Sequence, residues 1–429
     1  MPLWPTAPQP ASERVREHHH NVTGTSAVTV AHAPATWMLI GEQIDHFGGV
    51  VVAGLSDLQA AAAVSPRTDG KISVRQFNYE LSEVAELSDS ITLDELADRL
   101  AAQQPEIDDH GRTILPPAPE GGLAARNGGI VSTMITRQLM SRETAGADIT
   151  IVNDIPDHSG LGAQSAQDVA VALALLGKDH DLNDAPLRAR IAEICTQAVE
   201  TFAAEPPLRA RHSAALRGSG ETVSVVDYAD GSITQALHPL THELQAFVLA
   251  VPGGHDNDAA AKATAEIIRR QRFIDDACHA FGAESLRLLP DAPERVIDWL
   301  QAVHDVHGPE DQPAVHSARA WLDFYVAETA RAQRVVRALR SRRGVDLFPQ
   351  LIQSQAEILN SYGLDTAHDL AQLAQTRGAA AARAASAGTA NAVIAYVPAA
   401  RSKNFAADMA DDGLVVVPLS AGKVAAQAD

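Results

Sequence analysis

A short acidic stretch between two apolar runs carries the first side chains that could do chemistry. In "MLIGEQIDHFGGVVVAGL", residues 38–55, the polar side chains between the runs are those of Glu42, Gln43, Asp45 and His46. A plain turn would need only the pair Gly48-Gly49 and one aspartate. The additional polar groups indicate the end of a strand that presents carboxylates to a ligand.

A glycine loop carries the second set of groups. The loop "IPDHSGLGAQSA", residues 155–166, lies between a predicted strand and a predicted helix. Backbone N–H groups and the helix dipole at such a junction can hold an anion, and glycine lets a phosphate approach the chain. The loop residues are Gly160, Leu161, Gly162, Ala163, Gln164 and Ser165. The spacing fits neither a Walker A loop nor the dinucleotide fingerprint, and an ordinary strand-to-helix turn remains an alternative.

The elements that must position these two stretches are a mixture of strands and helices without strict βαβ alternation, which favours an α+β fold. Apolar or alternating runs predict strands at Val28–Val30, Met38–Ile40, Val50–Val64, Lys71–Phe77, Ala147–Asn153, Thr222–Asp227, Ala246–Val251, Asn391–Val397 and Gly413–Leu419. Helical patterns occur at Leu93–Leu100, Gly129–Leu139, Ser165–Leu176, Asp258–Gly282, Ala283–Leu289, Pro293–His304, Ala314–Ser341 and Lys403–Ala410. Thr92 and Glu95 form the pattern of a capping box.

The composition limits the class of protein. A chain of 429 residues with 46% hydrophobic content predicts two domains with large cores. The net charge of −20 disfavours binding to nucleic acid or to anionic membranes. Only Cys195 and Cys278 are present, which gives neither a disulfide framework nor a zinc motif. With no signal-peptide pattern and no apolar run of membrane-spanning length, we expect an acidic cytoplasmic protein.

We predict three segments along the chain. Residues 1–27 read as a loose tail, residues 28–205 as an N-terminal domain and residues 206–429 as a C-terminal domain, with a ligand cleft between the domains. The tail contains His18-His19-His20. A metal site would need further ligands at metal spacing, and none stands nearby, so we interpret this run as solvated.

Three stretches together resemble the galactokinases, a family of the GHMP small-molecule kinases. Ala33–Leu55 resembles the galactokinase signature A-P-G-R-V-N-L-I-G-E-H-T-D-Y-N-G-G. Ile155–Ala166 resembles the family's phosphate loop, P-x-x-x-G-L-G/S-S-S-A-A, and Ser386–Val397 stands where the third motif, G-x-G-F-G-G-C, would be. The resemblance implies a two-domain GHMP-kinase-like fold, ATP and Mg²⁺ as cofactors, and phosphorylation of galactose at its anomeric hydroxyl.

The resemblance also implies a role for the acidic stretch, which contacts sugar hydroxyls in the family. Glu42 and Asp45 match the family's Glu and Asp, and Gly48-Gly49 matches its turn. Carboxylates are strong acceptors for hydroxyl groups. The predicted sugar site therefore consists of Glu42, Gln43, Asp45, Gly48 and Gly49.

The chain departs from the family where charge is needed for phosphoryl transfer. The position of the family's arginine is Thr36, which has no charge. The position of the catalytic aspartate falls on Ala210, with a register that could slip by a residue or two. Its neighbours Arg209, Arg211 and His212 could bind an anion but are poor substitutes for a carboxylate, and His212 is an alternative general base.

The phosphate loop and the third motif depart as well. Ala163 and Gln164 replace the two serines, one of which helps to hold Mg²⁺ in the family, and Ser165 is one step late. Of the glycines in the third motif only Gly388 remains.

We therefore predict no catalytic residue and no metal site, with weakened or lost binding of ATP and Mg²⁺. The favoured hypothesis is a galactokinase-like pseudoenzyme that binds a sugar or acts as a regulator. An active sugar kinase with a rearranged site is the alternative, and a remnant that binds nothing tightly is a third.

Overall fold

The computed structural model describes residues 4, 9–80, 84–104, 106–107, 113–114, 116–240, 243–253, 257–310, 312–341, 346–364, 367–387 and 389–428. The helices are α1 Ala11–Thr23, α2 Leu93–Ala102, α3 Leu123–Thr136, α4 Ala163–Leu175, α5 Ala185–Phe202, α6 Arg209–Arg217, α7 Asn257–Phe281, α8 Ala292–His307, α9 Val315–Arg340, α10 Leu347–Asn360, α11 His368–Thr376 and α12 Ala399–Asp411. The strands are β1 Thr29–Ile40, β2 Val50–Pro66, β3 Lys71–Tyr79, β4 Val84–Thr92, β5 Glu106–Ile107, β6 Thr113–Ile114, β7 Ala147–Asn153, β8 Thr222–Asp227, β9 Ser232–Leu237, β10 Leu244–Ala250, β11 Ala381–Ala384, β12 Ala392–Pro398, β13 Val415–Leu419 and β14 Ala426–Ala428.

The predicted α+β class is confirmed, and most predicted elements agree with the structure to within a few residues. Two helices differ. Helix α3 begins at Leu123, six residues before the prediction, directly after Gly122 at φ +108°. The helix predicted at Ala283–Leu289 is only the 3₁₀ turn Leu286–Leu288. The segment follows Gly282, whose left-handed conformation ends α7, and it is followed by Pro290. Only a short turn forms between these two residues.

The large sheet is built around β2. This strand pairs antiparallel with β1 along its length, with β7 through Ala60–Pro66 and with β8 through Val50–Ala53. The order across the sheet is β14-β1-β2-β7-β3-β4, and β8 and β9 extend it beside β2. Because β8, β9 and β14 follow residue 206, the large sheet does not divide at the predicted boundary. The two domains and the cleft stay predictions.

Four consecutive alanines let β2 bury both of its faces. Ala60 and Ala62 belong to the main core beneath α3, α4 and α5, whereas Ala61 and Ala63 pack on the opposite face against α1. Successive side chains of a strand point to opposite faces. The small side chains let helices approach the sheet closely on both sides.

A second sheet, with the order β11-β12-β10-β13, is antiparallel throughout. Helices α11 and α12 cover one of its faces, with Phe405 and Met409 among the buried residues. The connection between β11 and β12, residues 385–391, carries the third predicted motif. Gly388 of that motif lies outside the described residues.

The prediction of a loose tail is wrong for residues 11–23, which form helix α1. Ala11, Val15 and His19 recur every four residues on its buried face. Arg14 is buried in the same region and forms an ion pair with Asp154. The helix ends at Gly24, whose φ of +69° is the left-handed conformation of a helix C-terminus. The sequence did not indicate this buried face, because two of its side chains, those of Arg14 and His19, are polar and are buried against specific partners.

The interpretation of His18-His19-His20 as a solvated run is wrong for two of its members. His19 is fully buried, and its ring nitrogens lie 2.9 Å from Thr150 Oγ1 and 3.0 Å from Ser65 Oγ. His18 stacks on Phe77 with ring centroids 4.0 Å apart. Burial lowers the pKa of His19, which favours the neutral ring.

Within the described residues, no helix has the length and apolarity that a bilayer crossing requires.

Candidate functional site

The acidic stretch and the phosphate loop meet at the first turn of α6. Arg209 Nε donates to Asp45 Oδ2 over 2.8 Å. Two residues later, Arg211 Nη2 donates to the carbonyl oxygen of Gly160 over 2.6 Å, and Arg211 Nη1 donates to Thr36 Oγ1 over 3.1 Å. Two residues advance a helix by only about 3 Å. The structure therefore brings the two predicted stretches to one end of α6.

The third predicted stretch touches both of the others. Gln43 Nε2 donates to the carbonyl oxygen of Ala387 over 3.2 Å. Gly160 has a φ of +73°, and a Cβ atom there would lie 3.0 Å from the backbone nitrogen of Ser386 and 2.7 Å from the Cβ of Ala385, the residue before this stretch. Only glycine meets both conditions without strain. The weak third likeness in the sequence thus corresponds to a real contact between distant segments.

Glu42 is neutralised by an arginine that the sequence did not single out. Both carboxylate oxygens of Glu42 accept from Arg383 Nη1, over 2.7 and 2.8 Å, and both side chains are buried. Arg383 Nη2 also lies 3.4 Å from Glu328 Oε1. Although burial works against its charge, Glu42 and Glu328 hold the pKa of Arg383 above its usual range. The sugar-binding role of Glu42 stays a prediction.

Asp45 keeps one acceptor without a partner. Its Oδ2 pairs with Arg209, while its buried Oδ1 has no hydrogen-bond partner among the described residues. The same is true of Gln43 Oε1 and of the Tyr228 hydroxyl, and Arg209 lies 5.1 Å from the Tyr228 ring centroid. Burial opposes the charge of Asp45, but Arg209 and His46 keep its pKa below the usual range. Buried polar atoms of this kind normally bind water or a ligand.

The paired glycines of the acidic stretch are required by packing. Gly48 has a φ of +90°, and a Cβ atom there would lie 2.1 Å from Ser285 Oγ. A Cβ atom on Gly49 would lie 2.4 Å from Ile44 Cγ1. The turn therefore holds the acidic stretch against the segment that follows α7. Direct contact of these glycines with a sugar stays a prediction.

The residue of α6 that faces Thr36 is Arg211, not Ala210. Arg211 is only 3% exposed, while Ala210 packs in an apolar cluster with Met38 and Ile44. Arg211 has no carboxylate at ion-pair distance within the described part of the chain. Burial lowers the pKa of Arg211 to about 10. The structure therefore places a cation beside Thr36, and the assignment of the family's aspartate to Ala210 stays a prediction.

The surroundings of His212 disfavour it as the general base that the sequence left open. Its side chain is fully buried, with Nε2 3.0 Å from Asp168 Oδ2 and Nδ1 3.0 Å from Thr196 Oγ1. Both ring nitrogens are thus committed to partners inside the protein. A general base must come within hydrogen-bond distance of the proton that it removes.

A buried ion pair beside the phosphate loop was missed by the sequence analysis. Arg126 Nε and Nη2 each donate over 2.7 Å to one oxygen of Asp168, and Arg126 Nη1 donates over 2.9 Å to Gln164 Oε1. The signal was present in the sequence, because Asp168 is the single charged residue of the otherwise apolar or neutral helix "AQSAQDVAVALAL". Such a residue is rarely buried without a partner.

Within the described residues, no three His, Cys, Asp or Glu side chains cluster as metal ligands would.

The aspartate ahead of the glycines, Asp157, supports a prediction about pH. Asn78 Nδ2 donates to it over 3.2 Å, and loss of hydration together with the nearby Glu80 raises the pKa of Asp157 to about 6. Asp157 is an exposed residue, so solvent screens its charge. Its ionised form therefore destabilises the folded protein slightly, by an amount that grows as pH rises from about 4 to about 6. We expect Asp157→Asn to raise the melting temperature at about pH 7.5 and to have little effect near pH 4.

Differential scanning fluorimetry across this pH range would measure the effect, with Asp179→Asn on an exposed loop as the control. An Asp157→Asn difference that does not change with pH would contradict the proposed origin of the effect.

Comparisons with known proteins agree on one family. Residues 17–66 match the galactokinase galactose-binding signature. The chain is 25% identical to the galactokinase of Streptomyces coelicolor over 391 residues, which cover 90% of this chain and 89% of that protein. It is 23% identical to the human galactokinase over 287 residues, which cover 67% and 64% of the two chains.

Solved structures show the same fold. The galactokinase of Lactococcus lactis, crystallised in complex with galactose, superposes with a TM-score of 0.68 at 17% identity, over 96% of this chain and 99% of that one. The mevalonate kinase of Methanococcus jannaschii superposes with a TM-score of 0.53 at 11% identity, over 92% and 98% of the two chains.

Proposed function

Because the chain belongs to the galactokinase family and has the GHMP kinase fold, we propose that it binds a hexose through its acidic stretch and does not transfer phosphate efficiently. The observation that carries this proposal is the position of Arg211. The side chain of α6 that contacts Thr36, the position of the family's arginine, is a cation, and α6 carries no carboxylate.

The sugar-binding part of the proposal rests on the orphaned polar atoms. Asp45 Oδ1, Gln43 Oε1 and the Tyr228 hydroxyl are buried groups that a polyhydroxylated ligand could satisfy. Arg209 holds Asp45 ionised and fixes its orientation, which leaves one carboxylate oxygen directed elsewhere. A charged acceptor of this kind gives a strong hydrogen bond to a hydroxyl group.

The catalytic part rests on the lack of a carboxylate on α6. His212 is enclosed by Asp168 and Thr196, and the described part of α6 contains no carboxylate. Phosphoryl transfer depends on positioning and on charge stabilisation at the transferring group. An arginine supplies charge but cannot accept the proton of a sugar hydroxyl.

The alternative is an active sugar kinase with a rearranged site, and one contact favours it. The guanidinium of Arg211 touches Thr36, so α6 returns a positive charge to the place where β1 has lost its arginine. On this hypothesis Arg211 stabilises the transferred phosphoryl group, and a water molecule accepts the proton. Galactose-dependent formation of ADP distinguishes this alternative from the favoured proposal.

Galactose titration into the wild-type protein, followed by isothermal titration calorimetry, tests the sugar site. We expect saturable binding that Asp45→Ala weakens about tenfold or more, because a hydrogen bond to a charged group contributes about 1.5–3 kcal/mol. Asp154→Ala is the matched control, since it also breaks an Arg–Asp pair but at the opposite face of the large sheet. Equal binding by the wild type and Asp45→Ala would refute the assignment, as would the failure of every hexose to bind.

A further inference from the structure

Two side-chain acceptors beside the phosphate loop, those of Gln164 and Asp168, are already bound to Arg126. Gln164 stands in the place of one of the two family serines, one of which helps to hold Mg²⁺, and its Oε1 accepts from Arg126 Nη1 at 2.9 Å. Asp168 gives one oxygen to Arg126 and shares the other between Arg126 and His212. Ala163 offers no side-chain oxygen. Ser165 contributes a single hydroxyl. Mg²⁺ is normally held by at least one carboxylate together with phosphate and water oxygens. Because the carboxylate of Asp168 is already bound to Arg126, the donor set at this loop does not fit the metal.

Arg211 supplies a positive charge beside this loop. It is 3% exposed, and its hydrogen bonds go to uncharged oxygens, those of Thr36 and of the Gly160 carbonyl group. Glu42 is the one carboxylate that favours its charge, and Glu42 is bound to Arg383. A buried charge without a counter-ion is costly. Its position against the loop indicates that an anionic ligand is the missing partner.

The loop itself is suited to an anion. Helix α4 has 13 residues, begins after Gly162 and has neither a side-chain cap nor an acidic residue in its first turn. The N–H groups of that turn have no partner within the helix, and the helix dipole is positive at this end. A Cβ atom on Gly162 would lie 2.8 Å from Arg211 Nη1, so the guanidinium lies directly beside the start of the helix.

From this arrangement we infer that the phosphate loop binds the phosphates of a nucleotide without a divalent cation, with Arg211 providing the positive charge. The inference rests on the proposed function, because it specifies the ligand chemistry of a site that does not transfer phosphate. A metal-free site of this kind binds ATP as its fully charged anion. The N-terminus of α4 adds a partial positive charge to that of Arg211.

Calorimetric titration of ATP into the wild-type protein, once with excess MgCl₂ and once with EDTA, tests the inference without any variant. We expect dissociation constants that agree within about threefold, or tighter binding in EDTA. Binding that weakens tenfold or more in EDTA would overturn the inference. The inference would also be overturned if neither ATP nor inorganic pyrophosphate bound in either buffer.

Two variants of one helix assign the effect to a residue. Arg211→Met should weaken ATP binding in EDTA tenfold or more, whereas Arg217→Met, at the other end of α6, should leave it unchanged. Arg211→Lys keeps the charge and should retain part of the affinity for ATP. It replaces Arg211→Met as the test if the methionine variant fails to fold. Equal loss in Arg217→Met would refute the role of Arg211.

The two proposals fail in different ways. Magnesium-dependent ATP binding without galactose turnover would remove only the inference about the metal. Galactose-dependent turnover with retained binding in EDTA would remove only the proposal that phosphate is not transferred.

Discussion

Purified protein supplied with galactose, ATP and Mg²⁺ should form no galactose-dependent ADP. Thr36 lacks the charge of the family's arginine, and α6, where we predict the place of the family's aspartate, carries no carboxylate. Loss of one group that stabilises the transition state typically lowers the rate by about 10² to 10³, and losses within one site are not additive. We therefore expect turnover at least about a thousandfold below that of an active galactokinase, which serves as the positive control in a coupled ADP-release assay.

Restoring the two missing groups should not restore full activity. Thr36→Arg with Ala210→Asp follows the register predicted from the sequence, and Thr36→Arg with Arg211→Asp follows the register of the structure. Ala163 and Gln164 still disturb the phosphate site in both. Robust ADP formation by the wild-type protein that Asp45→Ala abolishes would refute the proposal and favour Arg211 as the group that has taken over charge stabilisation.

Removal of the Arg383 guanidinium should produce the largest loss of stability. In Arg383→Met the carboxylate of Glu42 stays buried without its partner, and Glu328 loses one of its two arginines. Breaking a buried ion pair by removing one partner typically costs about 3–5 kcal/mol. We expect a decrease of that size in the free energy of unfolding, measured by urea titration with an unchanged slope.

A matched arginine in a solvent-accessible pair controls for the substitution itself. Arg377 pairs with Asp412 over 2.8 Å, but their side chains are 44% and 29% exposed. Exposed pairs contribute about 0–1 kcal/mol, so Arg377→Met should be nearly neutral. Adding Glu42→Gln to Arg383→Met should recover part of the lost stability. If Arg383→Met lowered the free energy of unfolding by less than about 1 kcal/mol, the buried ion pair between Arg383 and Glu42 would be contradicted.

Patterns that depend on neighbouring residues were predictable. Thr92 and Glu95 form the predicted capping box, with Glu95 N donating to Thr92 Oγ1 over 3.1 Å and Thr92 N donating to Glu95 Oε2 over 2.9 Å. The strand Ala147–Asn153 has the predicted limits. In both cases the signal and the structure lie within one short segment, so no distant contact could alter the outcome.

Helix α1 shows where a local pattern misleads. A segment rich in charge and histidine was predicted to be loose, because its few apolar residues could not hold it to a core. The sheet instead offers Asp154 to Arg14, and Ser65 and Thr150 to His19. These partners come from β2, β7 and the residue after β7, and their arrangement in space cannot be read from the helix sequence.

The sequence by itself determined the α+β class, the acidic stretch, the glycine loop and the likeness that connects them to one family. Only the tertiary structure decided which charges are paired, Arg383 with Glu42 across 341 residues of sequence and Arg126 with Asp168, and that Arg211 contacts only uncharged oxygens. The physical reason is that hydrophobic periodicity records whether a residue is buried, whereas the energy of a buried charge depends on the group beside it, and long-range contacts choose that group.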